Sequence, residues 1–169
     1  NEAAASYLKA IELKPDYAEA YYNLANLYSS VGNNEKAVDS YQKAIEADPN
    51  LVKAYNNLGL IFHSLGKYED AIISYKKATE LGPNYVKAYN NLGNSYQAIN
   101  KHEEAISAYK KAIELNPNYA EAYNNLAVAC YYNKQYDLAN QYCNKAIELG
   151  AKVNQQLLEL LMQRKNREK

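Results

Sequence analysis

No tryptophan occurs in the chain, and cysteine is nearly absent, at two residues in 169. Two cysteines in a chain of this length do not describe a disulfide scaffold. A net charge is missing too. Nineteen acidic residues balance nineteen basic ones, which argues against bulk attraction to nucleic acid or to an anionic membrane. No apolar run is long enough to span a bilayer, and no signal peptide is legible. A cytoplasmic location is therefore expected, with neither nucleic acid nor membrane as partner. The few glycines form no phosphate loop.

Proline is scarce but placed on a grid. Pro49, Pro83 and Pro117 follow one another at intervals of 34, and Pro15 lies on the same grid. So do Tyr21, Tyr55, Tyr89 and Tyr123, the leucines 24, 58, 92 and 126, and two alanine series, at 37, 71, 105, 139 and at 44, 78, 112, 146. A repeat of this length is one supersecondary unit stacked on copies of itself. In residues 86–119, Tyr89, Leu92, Gly93 and Tyr96 are spaced i, i+3, i+4, i+7, one apolar stripe of a helix. Ala105, Ile106, Tyr109, Ala112 and Ile113 make the complementary stripe of a second helix. Gly59, Gly93, Ala25 and Ala127 leave no bulk in the first stripe, so a neighbouring helix can come close. Gly32 and Gly66, with Asn100 as substitute, stand where a left-handed residue joins the two helices. Proline then bars continuation of the second helix. The expected fold class is an all-α α-solenoid of stacked antiparallel helix pairs.

These residues resemble the tetratricopeptide repeat, whose first helix carries an aromatic, leucine, a small residue and an aromatic, and whose second carries alanine, an aromatic and alanine before a closing proline. Tyrosine stands where the family often has tryptophan. The resemblance implies a right-handed superhelix whose concave side grips a peptide. It divides the chain into a lone second helix at 1–17, full units at 18–51, 52–85 and 86–119, a divergent unit at 120–153 and a capping helix at 154–169. The lone helix leaves Tyr7 and Ile11 uncovered, so truncation of a longer protein is expected, with self-association through this edge as the alternative. In the divergent unit Cys130 and Cys143 replace aromatics, Lys134 replaces the inter-helix glycine and Ala151 the closing proline. Val153, Leu157, Leu160 and Leu161 form the stripe of the capping helix. The two cysteines are expected to be buried packing residues, with a disulfide or a two-ligand metal site as the alternative.

Function is sought on the face that packing leaves free. Lys87, Asn90, Asn91 and Asn94 form a second i, i+3, i+4, i+7 stripe, about 200° around the helix from the apolar one. Asparagine recurs at 23, 57, 91 and 125, beside it at 56, 90 and 124, and one turn on at 26 and 94. Each costs about 0.5 kcal/mol of helix propensity against alanine. A carboxamide offers two donors and an acceptor to an extended peptide main chain, so an asparagine ladder that holds a peptide is expected. Bonds between repeats, or exposure to water, are the alternative for the same amides. Specificity would come from Glu19, Tyr22, Lys53, Leu60, His63, Lys87, Gln97, Val128 and Tyr131, which vary from unit to unit.

Two subfamilies frame this groove. Heat-shock co-chaperones clamp a C-terminal carboxylate, and Asn26, Asn57 and Lys87 match three of their slots. Tyr22 stands where their first lysine should be and Asn91 where their arginine should be, which weakens that reading. The continuous asparagine series is similar to the repeat superhelix of O-GlcNAc transferase, without that enzyme's catalytic domain. His63 and His102 pair with no nucleophile or carboxylate at a recognisable spacing. The chain is therefore expected to be a non-enzymatic interaction module with no cofactor and no metal. The alternatives are a self-assembling structural module, or the repeat part of a larger enzyme or co-chaperone.

Overall fold

The structure is a computed structural model that describes residues 2–167. Asn1 and residues 168–169, the end of the expected capping segment, lie outside the described residues. Among the described residues there are ten α-helices and no strand, the all-α solenoid of helix pairs expected from the repeat. The chain divides into two units, residues 1–83 and 84–169.

The first unit holds α1 (Glu2–Leu13), α2 (Ala18–Ser30), α3 (Asn34–Ala47), α4 (Val52–Ser64) and α5 (Tyr68–Leu81). In order along the chain, α1 packs on α2, α2 on α3, α3 on α4 and α4 on α5. Tyr41, an alanine series (Ala25, Ala37, Ala54), Leu58 and Ile61 form a buried core, with Tyr22, Tyr28 and Phe62 against it. Between paired helices Gly32 and Gly66 take φ of +74° and +73°, the left-handed turn that glycine enters without a Cβ penalty. The side chain of Asn33 accepts from the N–H of Lys36 at 3.2 Å and so caps α3. At the end of α3, Asp48 Oδ1 accepts from the N–H of Asn50 at 3.0 Å around Pro49, closing the turn into α4.

The second unit holds α6 (Val86–Ala98), α7 (His102–Leu115), α8 (Ala120–Tyr132), α9 (Tyr136–Glu148) and α10 (Gln155–Arg167). The same turn devices recur. Asn100 and Lys134 take φ of +59° and +62°, and Asn116 Oδ1 accepts from the N–H of Asn118 at 3.1 Å. Within both units the small residue of the first helix meets the tyrosine of the second. A Cβ added at Gly59 would lie 2.7 Å from the ring of Tyr75, and one at Gly93 only 2.4 Å from the ring of Tyr109. In the divergent pair, Ala127 meets Cys143 instead, and Leu157 of α10 closes over both. Cys130 and Cys143 are free and buried, as the packing reading expects. Burial pushes the Cys130 thiol up to about 11 and raises that of Cys143, so neither is a ready nucleophile.

Helix α10 is placed by one polar and one apolar device. Asn154 Oδ1 accepts from the N–H of Leu157 at 3.1 Å, at the start of the helix. Val153, Leu158 and Leu161 pack around the buried Leu157. The Arg164 guanidinium lies 3.7 Å from the centre of the Tyr136 ring, a cation–π contact.

Candidate functional site

The candidate site is the face of the first helices opposite their tyrosine–leucine stripe. In the first unit it is carried by α2 and α4. Asn57 lies at the centre of a hydrogen-bonded cluster there. Its Nδ2 donates to Asn26 Oδ1 at 3.1 Å, Tyr22 Oη at 3.2 Å and Tyr41 Oη at 3.3 Å. Its Oδ1 accepts from Asn56 Nδ2 at 3.2 Å. Tyr41 in turn donates its hydroxyl hydrogen to Asn26 Oδ1. The second unit repeats the arrangement on α6 and α8. Asn125 Nδ2 donates to Asn94 Oδ1 at 3.1 Å and to Asn90 Oδ1 at 3.2 Å, and Tyr109 donates to Asn94 at 2.8 Å.

These clusters explain why asparagine is tolerated in the helices. Tyr41 and Tyr109 are 2% and 1% exposed, and a buried hydroxyl without a partner costs about 1–3 kcal/mol. The asparagines satisfy those hydroxyls and tie one helix pair to the next in the same step. Burial raises the pKa of Tyr41, Tyr75 and Tyr109 above the ordinary tyrosine value. The clusters therefore hold neutral phenols, which can donate. The sequence carries the signal in a second spacing beside the 34-residue one: Asn26 with Asn57, and Asn94 with Asn125, are both 31 residues apart, and each tyrosine lies 15 residues after its asparagine.

Several of the expected ladder amides lie against groups of the chain itself. Asn56 and Asn90 are 3% and 1% exposed, and Asn90 Nδ2 donates to Glu121 Oε1 at 3.0 Å, so neither presents an amide to a ligand. Asn57 has both amide hydrogens and its carbonyl engaged within the unit. Asn124 Oδ1 accepts from the main-chain N–H of Asn154 at 3.0 Å. Val128 and Tyr131 pack with α10 around Leu157. The last pair thus gives three expected groove residues to the chain's own capping segment.

The remaining expected residues lie as follows. Glu19, Lys53, Leu60 and Lys87 are exposed, whereas Tyr22, Asn23, Asn26, Asn91, Asn94 and Asn125 are partly buried. His63 lies edge-on to Tyr68, with ring centres 5.1 Å apart, and burial lowers its pKa. Gln97 Oε1 is 3.2 Å from His102 Nδ1, and the His102 ring stacks on Tyr132 at 5.6 Å. A cleft of about 640 Å³ between α6 and α7 has Tyr89, Leu92 and Tyr96 as its floor, the stacking stripe and not the polar one. Among the described residues no group of three His, Cys, Asp or Glu is placed to hold a metal. No described helix is long and apolar enough to cross a membrane.

Family profiles match almost the whole repeat region. One described as tetratricopeptide repeat covers residues 18–51 and 86–119, a second 40–73 and 108–141, and a profile described as TPR repeat covers 1–32 and 59–100. The first TPR of Spaghetti (RPAP3), solved bound to an HSP90 peptide of sequence SRMEEVD, is 31% identical, with 93% of that chain and 69% of this one aligned at a TM-score of 0.68. The chain belongs to the tetratricopeptide repeat family. Other TPR structures align over more of it. MamA is 29% identical over 86% of this chain and 85% of its own, at a TM-score of 0.82. PilF of Pseudomonas aeruginosa is 27% identical over 92% of this chain and 70% of its own, at 0.80. A comparison with curated protein sequences gives no match.

Proposed function

We propose that this TPR chain is a non-enzymatic protein-interaction module that holds an extended peptide on the polar faces of the first helices within a unit. One observation carries the reading. Over a floor of internally bonded amides, the exposed positions of that face change from unit to unit (Glu19, Lys53, Leu60, Lys87). A rigid floor with variable side chains above it suits side-chain selection on a positioned scaffold. The RPAP3 domain, solved with a bound peptide, supports the same use. Asn23 and Asn125 remain as main-chain contacts in this reading, Asn125 through its carbonyl oxygen. Asn57, Asn56 and Asn90 serve as the floor.

The test is mapping by nuclear magnetic resonance with a mixed library of acetylated, amidated octapeptides. Shifts at Lys53, Leu60 and Lys87 are expected. Shifts confined to the second helices, or none, would overturn the reading. Lys53→Glu with Lys87→Glu is expected to turn preference away from acidic peptides. Self-association through α1 is a second reading, favoured by Leu8 and Leu13, which are 50% and 79% exposed. Light scattering over a concentration series separates the two, because a constant monomer mass contradicts self-association.

A further inference from the structure

Equivalent slots in the two units differ in their donor and acceptor count. In the second unit the slot is closed: Asn90 receives a bond from Asn125 and passes one to the Glu121 carboxylate at 3.0 Å. In the first unit the equivalent three positions hold Tyr22, Asn57 and Lys53. Asn57 again donates into the slot, to Tyr22 Oη at 3.2 Å. The Tyr22 hydroxyl hydrogen has no acceptor among the described residues, and lysine stands where the second unit has a carboxylate. Lys53 forms no ion pair among the described residues either, and Glu19, one turn before Tyr22, bonds to neither. Two donors therefore hold the repeat positions that Asn90 and Glu121 fill in the second unit, with no acceptor bonded to either hydrogen among the described residues. A phenol that already accepts a bond is polarised to donate a stronger one.

We propose that the Tyr22 hydroxyl and the Lys53 ammonium form a carboxylate subsite that selects an acidic side chain in the bound peptide. This deepens the peptide reading and rests on it. Tyr22 stands in a slot of the co-chaperone clamp but Lys53 does not, and the ligand proposed for this pair is a side-chain carboxylate within the peptide. A neutral amide of the same size offers one weaker acceptor, and charge-assisted bonds are about twice as strong as neutral ones. The preference is therefore for glutamate or aspartate over their amides. Because Lys53 is exposed, the preference weakens with added salt.

The experiment uses the whole chain and two acetylated, amidated octapeptides of alternating alanine and serine, one with a single central glutamate and the other with glutamine there. Titration followed by nuclear magnetic resonance is expected to give the glutamate peptide an affinity about fivefold higher or more. Tyr22→Phe and Lys53→Met should each bring the ratio to about one, chiefly through lost affinity for the glutamate peptide. Lys53→Glu supplies the missing acceptor within the chain, as Glu121 does, and should remove the preference as well. Equal binding of the two peptides by the unaltered chain overturns the subsite alone. So does a ratio that survives Lys53→Met, an exposed substitution that leaves the core intact even where Tyr22→Phe disturbs packing. Failure of both peptides to bind overturns the peptide reading together with the subsite.

Discussion

A buried tyrosine brings a polar oxygen into an apolar seam, and the residues around it must supply a partner for that oxygen. Here Asn26 and Asn94 accept from the hydroxyls of Tyr41 and Tyr109, while Asn57 and Asn125 reach across from the next pair. The 34-residue period made the asparagines visible as a stripe but left their partners open. A stripe on one helix says which way a side chain points, and says nothing of a tyrosine 15 residues on that comes to meet it. The small residues read more directly. Gly93 lies under the Tyr109 ring, so Gly93→Ala gains about 1 kcal/mol of helix propensity yet forces a carbon to 2.4 Å from a buried ring. Overpacking costs about 1–3 kcal/mol. A net loss of about 1 kcal/mol is expected in urea unfolding, and a gain would show that the ring yields freely.

At the scale of the helices, the caps and turns decide where each element stops. Glycine at 32 and 66 and asparagine at 100 were legible as left-handed turn residues, because few others occupy that region cheaply. Lys134 was legible only as a departure, yet its backbone takes φ of +62°. The fold imposes the turn, and lysine bears its cost. Lys134→Gly is therefore expected to stabilise the second unit by about 1 kcal/mol, seen as a rise in melting temperature; no rise would mean that the lysine side chain contributes a compensating contact. The capping helix α10 was legible from its leucine stripe. What the stripe did not disclose was Asn124 holding the main chain of Asn154, which turns the last pair's expected ligand surface inward on its own chain.

For the molecule as a whole, the repeat period carried the fold, since many residue classes had to fall on one grid for stacked pairs to share a seam. The function was less legible, because recognition depends on which polar groups stay unpaired once the helices have packed, and that count needs coordinates. The account divides labour on the first-helix face: amides as the floor, variable side chains as the readers. The unfolding free energy of Asn57→Ala tests this division by its sign. An amide that waits for a ligand is only a poor helix former, and replacing it with alanine would stabilise the chain by about 0.5 kcal/mol. An amide bound to Asn26, Tyr22 and Tyr41 leaves partners stranded when it is lost, and the account predicts a net loss of about 1 kcal/mol or more. A variant as stable as the parent, or more so, would contradict it.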